Sequence, residues 1–186
     1  MIVSASEDRR AAVLVQDVFM NTCMRVYTNP DVRGVELCGA LKNVIALAAG
    51  ISTGMGFGDN TKAALITRGM TEIARLGMAM GCQEQTFYGL AGIGDLIVTA
   101  TSMHSRNNRA GILIGQGTPV DEAVKKIGMV VEGINALPAA MELSRDYDVH
   151  MPICEGVNSI VTDGRKPQEV LHELMEREKK PETRRM

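Results

Sequence analysis

The sequence predicts a mainly α-helical chain preceded by a short strand–helix–strand unit. Three observations carry this. The 186 residues are 45% apolar but only 3% aromatic, with no Trp and 13 Met. The core must then be built from aliphatic side chains, Ala and Met, and Ala, Leu and Met favour helices. From Pro30 onward, apolar residues recur at i, i+3 and i+4, and Gly and Pro punctuate the pattern. Before Pro30 two short apolar runs flank one helical stretch, the pattern of a parallel α/β unit.

Taken in order, Ile2-Val3-Ser4 reads as a strand. Ser6-Glu7-Asp8 is a helix start signal, a capping hydroxyl with acids in the first turn. Leu14/Val18 and Val15/Phe19 continue that helix to Met20. Met24–Tyr27 reads as a second strand, stopped by Asn29-Pro30. A helix follows from Asp31 to Ala49, with Leu37, Leu41, Val44 and Ala48 in phase. Gly50 is expected to stop it, and Gly54, Gly56 and Gly58 to form a flexible loop. Asp59 or Asn60 caps a long helix to about Met80 with a stripe of Ile66, Met70, Ile73 and Leu76, and Gly81 closes it. Beyond a short segment at 83–90, helices are expected at Asp95, at 105–114 and at 119–127. Another spans 132–146, where Pro138 predicts a kink or break. Pro152 and Pro167 each open a further helix. The domain reading is 1–30 as the end of a larger α/β domain, 31–178 as a helical domain and 179–186 as a charged flexible tail. Two strands are too few for a stable sheet, so a longer parent protein is expected.

Composition also bounds function. A net charge of −2 gives no reason to expect nucleic acid. No apolar run approaches ~20 residues, so no membrane span is expected. The N-terminus lacks a basic region and a cleavage pattern, so it is not read as a signal peptide. Cys23, Cys38, Cys82 and Cys154 form no C-x-x-C pair and, with the three His, show no ligand spacing. Buried free thiols, no metal and a cytoplasmic location follow.

The densest chemistry lies in Gly89-Leu90-Ala91-Gly92-Ile93-Gly94-Asp95-Leu96, followed by a donor-rich stretch, Thr99 to Arg109. A Gly-rich turn delivers one acid to the start of an apolar helix. Asp95 there is either an N-cap or a ligand residue, and Thr99 one turn later shares its face. Ser105-Arg106-Asn107 reads either as ordinary capping with solvated arginines or as an anion site. In the second reading, free N–H groups and a guanidinium favour phosphate. Lys62 is a weaker anion candidate, and Arg68–Glu72 an ordinary i, i+4 pair. Lys42 sits in an otherwise apolar helix among Cys38, Gly39, Ala46 and Ala49. Either its stem lies along the surface with the amine in water, or small neighbours leave the amine in a tight slot where it can exchange protons.

At these residues the chain resembles the bacterial NAD(P)-dependent glycerol-3-phosphate dehydrogenases. The resemblance is carried by Gly34–Val44, Gly58–Leu65, Thr67-Arg68-Gly69, Gly89–Leu96, Ser105-Arg106-Asn107, Val130–Gly133 and Met151-Pro152-Ile153, in that order. It implies an all-helical domain similar to the C-terminal domain of 6-phosphogluconate dehydrogenase, preceded by the last strands of a Rossmann domain. It implies interconversion of dihydroxyacetone phosphate and glycerol 3-phosphate for phospholipid synthesis, with NAD or NADP as cofactor. By resemblance Lys42 exchanges the proton at the carbonyl oxygen. Asn43, Asp95 and Thr99 surround the polyol, Ser105, Arg106 and Asn107 the phosphate, and Arg106, Val130 and Glu132 the cofactor. Cys38 stands where the pattern has a glycine, and Ala100 where it often has Cys. The 186 residues hold no G-x-G-x-x-G, the turn that binds a dinucleotide, so this chain by itself is expected to be inactive. Residues 1–30, with an unpaired strand edge, are expected to fray or to pair with a second copy as a homodimer. Two alternatives are a dehydrogenase of another hydroxy acid or sugar acid, and a non-catalytic helical dimerisation module.

Overall fold

The computed structural model describes residues 1–178; the tail expected at 179–186 lies outside the described residues. The chain opens with β1 (Ile2–Ala5), α1 (Arg9–Phe19) and β2 (Val26–Asn29). The two strands pair in parallel, Ile2 opposite Val26 and Ala5 opposite Asn29. The strand–helix–strand reading holds, with β2 shifted two residues toward the C-terminus. Asp8, not Ser6, caps α1, accepting from the Arg10 N–H at 2.8 Å. The α1 face bearing Leu14, Val18 and Phe19 is exposed.

Ten helices are described in all: α2 (Val32–Gly54), α3 (Asp59–Ala79), α4 (Glu84–Phe87), α5 (Asp95–Thr101), α6 (Arg106–Gly115), α7 (Val120–Ile127), α8 (Glu132–Asp146), α9 (Pro152–Thr162) and α10 (Pro167–Met175), after α1. A wide turn at Leu90–Gly94 bends the chain into α5. The helix α2 is the axis. It is apolar on every side, buried from Val44 to Ser52 without a break, and packs against α3, α5, α6, α8 and α9. A helix hydrophobic all round is a core helix. By length and composition α2 could cross a membrane, contrary to the reading of the linear sequence, but two-thirds of its apolar window is buried inside this protein.

Gly50 does not stop α2, which runs four residues further. Its glycines serve a close crossing instead. A Cβ on Gly50 would lie 2.1 Å from the Asn108 carbonyl oxygen, and one on Gly54 2.2 Å from that of Ile112. The reciprocal positions are Gly111 and Gly115 on α6, 2.3 Å from the Leu47 oxygen and 2.1 Å from the Ile51 oxygen. Only residues without Cβ let two helix backbones approach so closely. The helices that carry Lys42 and Arg106 are thereby held at a fixed separation. α8 runs through Pro138 unbroken, so the expected break is absent. α10 ends at Met175.

Two carboxylates secure helix starts. Asp31 accepts from the Gly34 N–H at 3.0 Å, the Gln83 N–H at 2.9 Å and the Thr86 hydroxyl at 2.8 Å. Burial alone would raise its pKa; these donors hold it below the ordinary carboxylate value. Glu72 does not pair with Arg68. It is buried, and its carboxylate accepts from the Ile153 N–H at 3.0 Å and the Cys154 N–H at 3.4 Å, capping α9 from α3. Burial pushes its pKa up to about 7, against the two N–H donors and Arg75, which favour the anion. A raised folded pKa means that the folded state holds a proton which the unfolded chain has released. Stability from this group is therefore present below the unfolded value and lost as pH rises to about 7. At most this amounts to about 3 kcal/mol. The urea midpoint is expected to fall between pH 5 and pH 8, and Glu72→Gln to flatten that decline. An unchanged slope in the variant would assign the pH dependence elsewhere.

Candidate functional site

The site is built where α2, α5, α6 and the start of α8 meet. Lys42 lies midway along the apolar helix, with 21% of its side chain exposed, and its amine pairs with the Asp95 carboxylate. The Gly-rich turn explains how. It turns tightly over the end of α4, where a Cβ on Gly92 would meet the Phe87 oxygen at 2.1 Å, and brings the chain back onto α2. Asp95 then falls at the first residue of α5, without a capping hydrogen bond from its side chain. The capping reading of Asp95 is thus replaced by an ion pair that joins residues 53 apart in sequence. Thr99 remains on that face, half-buried, its hydroxyl donating to the Asp95 carbonyl at 2.7 Å.

Asn43 links Lys42 to the start of α6. Its Oδ1 accepts from Asn107 Nδ2 at 2.9 Å. Ser105 caps α6, accepting from the Asn108 N–H at 3.3 Å. Arg106, half-buried, is the first residue of that helix. Asn107, its neighbour in α6, joins the Lys42 turn, whereas the Arg106 side chain makes no hydrogen bond or ion pair with Lys42 or Asp95. Asn107 Oδ1 accepts from the Gly133 N–H at 2.8 Å, which brings the start of α8 against the same point. Val130 and Glu132, just before it, are exposed along this edge. Lys62 stands apart, paired with Asp59 at 3.7 Å in the first turn of α3.

Two residues of the arrangement carry no individual role in the sequence reading. Asn108 is buried and donates to the Ala100 carbonyl at 2.7 Å, tying the end of α5 to α6. Gly133 must lack a side chain, because a Cβ would meet the Asn43 oxygen at 2.5 Å. No periodicity marks either one. Cys38, one turn before Lys42, is buried, and that burial pushes its thiol up to about 12. Cys82 and Cys154 are also free and buried, whereas Cys23 is free and exposed. Among the described residues no group of three His, Cys, Asp or Glu could hold a metal ion.

Chemically, the site offers an amine held by a carboxylate, a capped helix start beside a guanidinium, and an exposed edge at Val130 and Glu132. That edge is open and carries both an apolar and an acidic side chain.

A family model, NAD-dependent glycerol-3-phosphate dehydrogenase C-terminus, matches residues 31–172. A protein of Lactobacillus delbrueckii subsp. bulgaricus named glycerol-3-phosphate dehydrogenase [NAD(P)+] 2 is 64% identical over 181 residues, covering 97% of this chain and 54% of that protein. One of Thermoanaerobacter, named glycerol-3-phosphate dehydrogenase [NAD(P)+], is 58% identical with the same coverage. This chain therefore spans about half the length of the curated relatives it matches. Among solved structures, glycerol-3-phosphate dehydrogenase from Coxiella burnetii superposes with a TM-score of 0.90 at 40% identity, covering 93% of this chain and 53% of that one. The yeast Saccharomyces cerevisiae enzyme gives 0.79 at 29%, covering 88% and 48%.

Proposed function

We propose, from the premise that this chain belongs to the NAD-dependent glycerol-3-phosphate dehydrogenase family and matches its C-terminal part, that it forms the substrate-binding and catalytic half of such an enzyme. The reaction is the interconversion of dihydroxyacetone phosphate and glycerol 3-phosphate. The observation that carries this reading is the Lys42–Asp95 pair on the α2 axis. In the reduction, negative charge builds on the ketone oxygen, and an amine in hydrogen-bond reach can give that oxygen its proton. Asp95 holds the Lys42 amine in place, and Asn43 and Thr99 flank the polyol. The start of α6, with Ser105, Arg106 and Asn107, is the phosphate end: free N–H groups and a guanidinium both favour an anion. Arg106, Val130 and Glu132 are the residues of this chain that would hold the nicotinamide nucleotide, NAD or NADP, which supplies the hydride when bound.

On the same reading, residues 1–30 are the end of the nucleotide-binding domain and 31–178 the catalytic domain. Three buried thiols without a disulfide suit a reducing, cytoplasmic setting. Glycerol 3-phosphate would serve phospholipid synthesis. A homodimer is supported by the exposed apolar face of α1, and the net charge of −2 gives nucleic acid no anchor.

The test is a chimera that joins this chain to the N-terminal half of the Lactobacillus relative. It is expected to reduce dihydroxyacetone phosphate with NADH or NADPH, and unphosphorylated dihydroxyacetone poorly. Arg106→Ala should raise KM for the phosphorylated substrate at least ~10-fold, the scale of a lost charge-assisted hydrogen bond. Equal turnover of both ketones would point instead to another hydroxy-acid or sugar-acid dehydrogenase, and no turnover at all to a non-catalytic helical module.

A further inference from the structure

Ser52 lies on α2 well beyond Lys42, about 15 Å further along the helix axis. It is 6% exposed, and its hydroxyl has no hydrogen-bond partner among the described residues. It stands in the wall of a cavity of about 50 Å³ where α2, α3, α9 and α10 meet, and the rest of that wall is apolar. A buried water needs two to four polar partners, so one hydroxyl does not hold it; dry apolar cavities accept apolar guests instead. The cavity adjoins a cleft of about 350 Å³ between α3 and α10, and Leu65, Ile153, Leu171 and Leu174 wall both. That size is at the low end for a small-molecule site, room for one alkyl chain. The cleft also carries charge. Arg68 and Arg75, two turns apart on α3, are exposed, and among the described residues neither has an ion pair. Arg177 lines the same cleft and donates to His150 Nε2 at 2.8 Å, while His150 Nδ1 pairs with Glu155. Two acids line it as well. The Glu72 carboxylate is committed to the N–H groups of α9, which leaves Glu178 against three arginines. On a chain of net charge −2, this is a local excess of positive charge beside an apolar channel.

We propose that the cleft and the cavity together bind a single-chain anionic amphiphile, an alkyl chain that ends in a phosphate or carboxylate, taken up as a monomer from solution. The head group meets Arg68, Arg75 and Arg177, whose planar forks match its oxygens. The chain runs over Leu65, Ile153, Leu171 and Leu174, and its end enters the cavity beside Ser52. Each methylene that leaves water strengthens binding by about fourfold, and the arginines set an anion apart from a neutral head group. The site lies away from the Lys42–Asp95 pair and does not depend on the reaction proposed above.

The test is isothermal titration of the 186-residue chain with four probes, each kept below its micellar concentration: octyl phosphate, butyl phosphate, octyl glucoside and inorganic phosphate. Octyl phosphate should bind one to one. It should bind at least ~30-fold more tightly than butyl phosphate, the share expected from four further methylenes even if they are only partly buried. Octyl glucoside and inorganic phosphate should each bind at least ~10-fold more weakly than octyl phosphate. Arg68→Gln combined with Arg75→Gln, both at exposed positions, should weaken octyl phosphate at least ~10-fold and leave octyl glucoside unchanged. Ser52→Leu fills the cavity and should weaken octyl phosphate but not butyl phosphate; should that variant fail to fold, the comparison of the two chain lengths tests the cavity without it. Equal affinity for octyl phosphate and octyl glucoside would show a merely apolar groove. Equal affinity for octyl, butyl and inorganic phosphate would show a merely cationic surface. Binding only at micellar concentration would show attraction to an amphiphile surface, and an unchanged affinity in the double arginine variant would put the ligand elsewhere. Each of these results, or no binding at all, overturns the proposal.

Discussion

Lys42→Ala in the chimeric dehydrogenase is expected to lower kcat by at least ~100-fold, the low end for lost general acid–base catalysis. The expectation follows from the position of the side chain. Lys42 projects from the core helix just before its fully buried stretch, its amine meets the Asp95 carboxylate, and only about a fifth of the side chain is exposed. A lysine whose amine reaches open water would make no such pair with a residue 53 positions away. Lys42→Arg should restore little, because a guanidinium keeps its charge but does not release its proton. Asp95→Asn removes the charge that holds the amine and should fall between the parent and Lys42→Ala. The measurement is steady-state kcat with saturating dihydroxyacetone phosphate and cofactor. Near-normal turnover in Lys42→Ala would take Lys42 out of the proton transfer.

The second large effect concerns the crossing of α2 and α6. Gly50→Ala places a methyl group 2.1 Å from the Asn108 carbonyl oxygen, and Gly111→Ala one 2.3 Å from the Leu47 oxygen. Both obstacles are backbone, so neither can swing aside, and the helices must separate. Overpacking of this kind costs about 1–3 kcal/mol and occasionally more. It is opposed by the gain of about 1 kcal/mol from replacing Gly by Ala within a helix. The internal control is Gly39 in the same helix, where a Cβ would meet nothing within 4 Å. Gly39→Ala should therefore keep or raise stability, while Gly50→Ala and Gly111→Ala lower it, all read from urea midpoints of the 186-residue chain. Equal midpoints for Gly39→Ala and Gly50→Ala would show that the close crossing is not kept in solution. Because α2 carries Lys42 and α6 carries Arg106, the two destabilised variants should also lose activity in the chimera.

Much of the fold was legible locally. Pro at the first turn of α9 and α10, Ser105 before α6, and the Ile66, Met70, Ile73 stripe of α3 each place a helix from within a few residues. These signals act through chain conformation and capping over about four residues, so the sequence by itself determined where most helices run. It also determined the residues that make the site chemically possible: Lys42 on an apolar helix, Asp95 after a Gly-rich turn, and Arg106 at a helix start. Tertiary structure decided how they are used. Gly50 reads as a helix stop because glycine is a poor helix former, yet another backbone occupies the place of its side chain. Asp95 reads either as a cap, because acids favour helix starts, or as a ligand residue, and a lysine of α2 takes its carboxylate. Glu72 reads as half of a surface pair, yet it caps α9, and Asn107 does the same for α8. The reason is common to all four. Local propensity is settled by the energies of one segment, whereas these partners are supplied by a second segment 26 to 81 residues away. Which segment arrives there depends on how the whole core packs around α2.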